Sequence, residues 1–155
     1  MHRSSSAVWI CAAIAGAALL ASCGDGNNNP PPPNSATVDV SLQEFSVTLD
    51  QSTASAGDVT FHVTNNGEDM HEFLVIKTDL PPGGLPTLEN GAYAEDGPGT
   101  DLLDEIEDID PGDSKDLTLN LSAGHYVLIC NMVMQEDDEL EVHYALGMRT
   151  AFTVE

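Results

Sequence analysis

Short runs in which every second residue is apolar fill most of the chain from Ser35 onward. No stretch of similar length carries an apolar face at helical spacing. Thr37-Val38-Asp39-Val40-Ser41-Leu42, Phe45-Ser46-Val47-Thr48-Leu49 and Val59-Thr60-Phe61-His62-Val63 alternate in this way, while residues 72–77 form a more continuous β-rich run. Residues 115–121, 125–130 and 149–154 add three more runs, and residues 105–109 a weaker one. A period of two places one side of each run against a core and the other in water. Ala56-Gly57-Asp58, Asn65-Asn66-Gly67, Pro111-Gly112-Asp113 and Ala123-Gly124 supply the turns between them. This pattern predicts an all-β protein, a Greek-key β-sandwich of seven to eight strands. Residues 78–104, rich in Pro, Gly and acids, interrupt it and read as a solvated crossing between the sheets.

The N-terminal segment has a different composition. His2 and Arg3 precede an apolar run over residues 7–21, and Leu20-Ala21-Ser22-Cys23 closes it with small residues. A basic start, a short apolar stretch and a small-residue exit describe an export signal too short for a confident membrane span. The same four residues resemble the lipobox of bacterial and archaeal lipoproteins, which implies lipidation at Cys23; a plain secretory signal cut nearby is the alternative. Beyond Cys23 lie Asn27-Asn28-Asn29 and Pro30 to Pro33, a polar then stiff tether. The predicted organisation is a signal over residues 1–22, a tether over 23–35 and one domain over 36–155, lipid-anchored outside the cytoplasm.

Charge excludes one class of function. Four Lys and Arg face 26 Asp and Glu, a formal charge of −22. Such a field repels nucleic acid and anionic lipid headgroups, and it favours cationic partners, metal ions or life in high salt.

Cysteine usage points to a site. Of the three cysteines, Cys11 leaves with the signal, Cys23 is taken by lipid under the lipobox reading, and Cys130 remains. A lone thiol in an exported domain is expected to be buried or metal-bound. Ser122-Ala123-Gly124-His125-Tyr126 resembles a tyrosine corner, and alternation from Tyr126 through Leu128 then turns Cys130 toward the core. His62 and His125 have the parity of solvent-facing residues. His71, at the entry to a strand, and His143, in the turn before the last strand, can both lean over the sheet end. Together His71, Cys130, His143 and Met148 offer two imidazoles, a thiolate and a thioether, the donor set of a blue-copper electron-transfer site. Zinc accepts the same nitrogens and sulfur, but a methionine argues against a structural zinc site. Met132 and Met134 lie close enough in sequence to compete as thioethers, with core packing the simpler use.

On Asn66-Gly67 ahead of His71-Glu72-Phe73, Gly124-His125-Tyr126 through Cys130, and His143-Tyr144-Ala145-Leu146-Gly147-Met148, the chain resembles the cupredoxins over residues 36–155. The resemblance implies one type 1 copper ion held by His71, Cys130, His143 and Met148. Glu72 and Asn131, next in sequence to two of these ligands, are candidates for the surrounding shell. The departure is the segment Asn131 to Val142, far longer than the family places between Cys and the second His. An antiparallel out-and-back finger would return His143 to Cys130.

The function expected from these residues is a membrane-tethered one-electron carrier and not an enzyme, since a copper oxidase needs further ligands or a second domain. Its electrons would pass through a solvent edge of His143, rimmed by Tyr144, Leu146 and residues 81–85. The partner would be a redox protein such as a basic cytochrome or a membrane oxidoreductase. A halophilic host accounts for the acidity equally well. The alternatives are a copper carrier or delivery module without redox turnover, and a β-sandwich binding domain without metal. The acidic runs lack the spaced oxygens and glycine of an EF-hand, so calcium is not expected.

Overall fold

The computed structural model describes residues 35–136 and 138–155. The signal, Cys23 and nearly all of the tether lie outside the described residues. Among the described residues no helix is long and apolar enough to cross a membrane.

The described residues form eleven strands in order: β1 (Ser35–Gln43), β2 (Ser46–Leu49), β3 (Thr53–Ala54), β4 (Gly57–Asn65), β5 (His71–Lys77), β6 (Asp101–Ile109), β7 (Ser114–Leu121), β8 (Gly124–Ile129), β9 (Val133–Glu136), β10 (Glu139–Val142) and β11 (Arg149–Val154). One sheet runs β2-β1-β4-β7 and the other β3-β11-β8-β5-β6, while β9 and β10 pair only with each other. The predicted β-sandwich is therefore present, with the two-residue β3 added to the strands legible in the sequence and the β9–β10 hairpin as the expected antiparallel finger. β1 and β4 run parallel, and the other long pairings are antiparallel.

Alternation fixes which side chains meet between the sheets. Val38, Val40, Leu42, Val59, Phe61 and Val63 come from one sheet, and Phe73, Val75, Tyr126, Leu128, Phe152 and Val154 from the other, all buried. Phe61 sits at the centre, its ring 5.4 Å from those of Phe73 and Phe152. Each such side chain contributes about 1.5–3 kcal/mol by leaving water. The outward face of the first sheet is polar: Thr60 bonds Thr118, Thr64 bonds Ser114, and His62 meets Asp116 at 2.5 Å. Tyr126 Oη donates to the Ser122 carbonyl at 2.6 Å, closing the tyrosine corner.

The long segment between β5 and β6 corrects the reading of it as a solvated crossing. It lies over the outer face of the second sheet, where Leu85 and Tyr93 join Leu74, Ile76, Val127, Ile129 and Tyr144 in a second apolar cluster. The continuous apolar runs in β5 and β8 have this cause, because both faces of those strands are covered. Tyr144 Oη donates to the Pro82 carbonyl at 2.9 Å and accepts from Leu85 N at 3.2 Å, and Tyr93 Oη bonds Thr100 Oγ1 at 3.0 Å.

Candidate metal centre

Three elements bring the candidate donors to one end of the sandwich. His71 is the first residue of β5, Cys130 directly follows β8, and His143 opens the one-turn helix α1 (His143–Leu146). Gly147 ends that helix at φ 132°, and its N–H closes back on the carbonyls of His143 and Tyr144. A Cβ there would stand 3.0 Å from the Phe45 carbonyl oxygen, so both the backbone angle and the space favour glycine. Met148 follows, and its backbone is tied to both neighbours: Cys130 N donates to Met148 O, and Met148 N donates to His143 O, each at 3.0 Å.

The segment between Cys130 and His143 is a closed hairpin. Val133 pairs with Val142 and Glu136 with Glu139, and at its base His143 N donates to Met132 O at 3.0 Å. The excursion leaves and returns at one place, so its length does not separate the donors. Met132 carries the carbonyl of that base and packs against the core, the structural use expected of it.

The donors form a small triangle. His71 Nδ1 lies 3.1 Å from His143 Nδ1, and Cys130 Sγ lies 3.8 Å and 3.4 Å from those two nitrogens. All three residues, and Met148, are wholly buried. An ion with nitrogen and sulfur bonds of about 2.0–2.3 Å in a trigonal plane needs edges of this size. The outer nitrogens, Nε2 of both histidines, are buried without a hydrogen bond. Glu44 Oε1 does approach His71 Nε2 to 3.1 Å, close enough for charge attraction, yet off the line a hydrogen bond requires. The atoms that converge are the buried Nδ1 of both histidines and the Cys130 sulfur, the kind of set a metal-binding cavity shows.

The electrostatics suit soft cation binding. Burial lowers the pKa of both histidines, reinforced for His143 by His71 and opposed at both by nearby acids, which favours neutral rings. Burial pushes the Cys130 thiol up to about 12, against the pull of N–H donors from Glu72 and Met132. Glu72 N stands 3.4 Å from Sγ. The sulfur thus holds its proton in the metal-free protein while its surroundings are already arranged for a thiolate.

The candidates from the wider shell divide. Glu72 carries a carboxyl raised to about 7, first by burial and then by Glu105, and it accepts from Asn131 N–H. Asn131 turns its side chain away from the sulfur and clasps the long segment: Tyr93 N donates to its Oδ1 at 2.7 Å, and its Nδ2 donates to Tyr93 O at 3.1 Å. His62 and His125 are exposed beside Asp116 and Asp79, away from the cluster. Asp69 and Glu141 each bring a carboxylate oxygen within 4.8 Å of a His143 ring nitrogen and of each other. The expected solvent edge of His143 is absent. The ring is buried with Phe45 edge-on at 5.3 Å, Tyr144 and Leu85 are buried in the second cluster, and only Leu146 and parts of residues 81–84 remain exposed from the expected rim. Sequence reasoning missed Glu44 and Phe45, which lie far from the donors along the chain.

No protein-family model matches the chain, and no curated protein matches it in sequence. Solved structures do. Dithionite-reduced auracyanin from Roseiflexus castenholzii aligns at TM-score 0.51 with 20% identity, over 79% of this chain and 97% of that one. Auracyanin A, described as a blue copper protein from Chloroflexus aurantiacus, aligns at 0.51 with 19% identity, over 78% and 99%. Rusticyanin from Thiobacillus ferrooxidans aligns at 0.52 with 16% identity, over 80% and 79%. These are cupredoxins, and the fold of this chain is the cupredoxin β-sandwich. It carries a buried His, Cys, His cluster at one end of that sandwich.

Proposed function

We propose that the protein is a one-electron carrier with a single type 1 copper site, tethered outside the cytoplasm by lipid at Cys23. The observation that carries this reading is the buried triangle of His71 Nδ1, His143 Nδ1 and Cys130 Sγ. Bound there, copper would supply reversible one-electron chemistry, and Met148, buried and tied by its backbone to Cys130 and His143, would contribute a thioether. The protein's own part is rigidity. Strands β5 and β8 pair directly from Leu74↔Ile129 to Lys77↔Tyr126, so His71 and Cys130 are set by one ladder. His143 and Met148 are set by the backbone bonds across α1. A donor set that cannot relax between oxidation states keeps the cost of electron exchange small.

Burial separates this reading from copper delivery. A delivery module has to present its donors to an acceptor, whereas all three donors here are inaccessible. A metal-free binding domain would give no reason for two imidazole nitrogens and a thiol to converge in the core. The charge of −22 suits a basic redox partner, protein or membrane-bound, met by electrostatic steering. The similar fold of the auracyanins and rusticyanin supports the same assignment.

The test is the visible and electron paramagnetic resonance spectra of the Cu(II)-loaded protein beside Cys130→Ser and His143→Ala. An intense thiolate-to-copper band with narrow hyperfine splitting, lost in the first variant and altered in the second, is the expected result. Colourless binding, or no effect of His143→Ala, would overturn the assignment.

A further inference from the structure

Glu44, in the turn between β1 and β2, has its carboxylate built into a loop remote from it in sequence. Glu68 N and Asp69 N both donate to Oε1, at 3.0 and 2.9 Å. Gly67 makes the room: a Cβ on that residue would stand 2.2 Å from Oε1 and 2.7 Å from Cδ. The group is a fixed carboxylate whose Oε1 faces His71 Nε2 at 3.1 Å.

That nitrogen is on the far side of the ring from the donor triangle. An imidazole has two tautomers, and the partner of one nitrogen decides which nitrogen keeps the proton. With the proton on Nδ1, His71 would aim an N–H into the triangle and leave a bare lone pair on Nε2 against a carboxylate. With the proton on Nε2, the N–H end of the ring faces the carboxylate's charge and Nδ1 offers its lone pair toward Cys130 and His143. Among the described residues no group hydrogen-bonds Nε2, and Glu44 is the carboxylate at ion-pair distance from it.

We propose that Glu44 is a positioning residue for the metal centre, its loop-bound carboxylate holding the His71 proton on Nε2 so that Nδ1 is the donor. The use of that donor rests on the copper reading, whereas the tautomer is a property of the metal-free protein. Once copper is bound, a negative charge behind the ring favours the more highly charged oxidation state. Glu44 therefore also lowers the reduction potential. His143 has no equivalent: Asp69 and Glu141 come near its ring, but its Nε2 has neither a hydrogen bond nor a carboxylate at ion-pair distance among the described residues.

The experiment uses the full chain, labelled with nitrogen-15 histidine and free of metal, in long-range proton–nitrogen correlation spectra. His71 is expected as the Nε2–H tautomer in the parent protein and as a mixed or inverted population in Glu44→Ala. Glu44→Gln keeps the shape of the side chain and is expected to shift the population less. Gly67→Ala, which pushes the carboxylate out of its seat, should behave as Glu44→Ala does. With copper added, Glu44→Gln should weaken Cu(II) binding by about 10- to 100-fold, weaken Cu(I) binding less, and raise the reduction potential. An unchanged tautomer in Glu44→Ala, or an Nδ1–H tautomer in the parent, overturns the proposal. A tautomer switch in a protein that takes up no copper supports Glu44's role and overturns the copper reading instead.

Discussion

The backbone N–H of His143 reaches the carbonyl of Met132 at 3.0 Å, and this one bond makes residues 133–142 an appendix to the candidate metal centre. Val133 and Val142 are paired next to it, so the chain that leaves Cys130 is already beside His143 two residues later.

Shortening that appendix should leave the centre intact. Because Val133 and Val142 face each other, residues 134–141 can be replaced by Asn-Gly, the pair favoured in a two-residue hairpin turn. Keeping Val133 and the buried Val142 preserves the apolar contact at the base. The shortened protein is expected to retain the copper absorption band in position and intensity, as measured by titration with Cu(II). Loss of the band would mean that the outer hairpin itself shapes the site.

Asn131 is expected to matter for stability more than for colour. Its amide makes both hydrogen bonds to the Tyr93 backbone, and through Tyr93 it holds residues 78–100 on the second apolar cluster. Asn131→Ala leaves a partly buried N–H and C=O without partners, at a cost of about 1–3 kcal/mol. Urea denaturation should show that loss, and hydrogen exchange should show it concentrated around Tyr93. The absorption spectrum of the copper-loaded variant should stay close to the parent, because the amide does not touch Sγ.

Much of this fold was legible because each strand of the first sheet has one wet face. Val38, Val40 and Leu42 alternate with Thr37, Asp39 and Ser41, and a period of two leaves little choice of orientation. The tyrosine corner was readable for a local reason, four residues separating Tyr126 from Ser122. The second cluster was harder to see, since the runs Phe73-Leu74-Val75-Ile76 and Val127-Leu128-Ile129 show that both faces are covered without saying by what. Leu85 and Tyr93 do the covering from a segment whose Pro and Gly content suggested solvent. The candidate donors could be named from residue chemistry, and the structure brings His71, Cys130 and His143 together, but the surroundings of that cluster could not be read. Glu44 and Phe45 approach His71 and His143 from a turn 27 and 98 residues away in sequence, contacts that no local pattern encodes.

Glu72 should make the metal-free protein less stable as pH rises through neutrality. Its carboxyl is raised from 4.5 to about 7, by burial first and then by Glu105, Glu95 and Glu107, despite the N–H of Asn131. Between those values the folded protein binds the proton that the unfolded chain has released, so the folded state loses relative stability with each step up in pH. Above about pH 7 the penalty is fully developed; below pH 4.5 it is absent. Glu72→Gln keeps an acceptor for Asn131 N–H and removes the charge. Denaturation midpoints taken from pH 5 to pH 8 should fall less steeply in this variant, and it should be the more stable protein at pH 8.

Lipid attachment has its own test. Under the lipobox reading Cys23→Ser should release the protein from membranes into the soluble extracytoplasmic fraction without altering the copper spectrum. The mature N-terminal peptide of the parent should carry the added mass of acyl chains. A parent protein already soluble and cut near Cys23 without acylation would favour the plain secretory signal.

Electron exchange at His143 should be governed by Phe45 and by the charge of the partner. The imidazole is buried, and the half-buried phenyl ring stands edge-on to it at 5.3 Å with planes 73° apart. A small redox probe approaching this end must therefore pass an electron across Phe45 or around it. Phe45→Ala would open the His143 edge, so exchange with hexaammineruthenium, a cationic probe, should quicken. The stability cost should fall below the about 3–5 kcal/mol of a fully buried Phe. With a formal charge of −22, the parent should react faster with this cation than with an anionic probe of matched driving force. Added salt should slow the first reaction and speed the second as the Debye length shrinks below about 10 Å. Stopped-flow rates across an ionic-strength series would measure both effects. If the salt dependence survives in Phe45→Ala while the absolute rate rises, the phenyl ring limits electron passage and the acidic surface limits encounter, two separable controls on one centre.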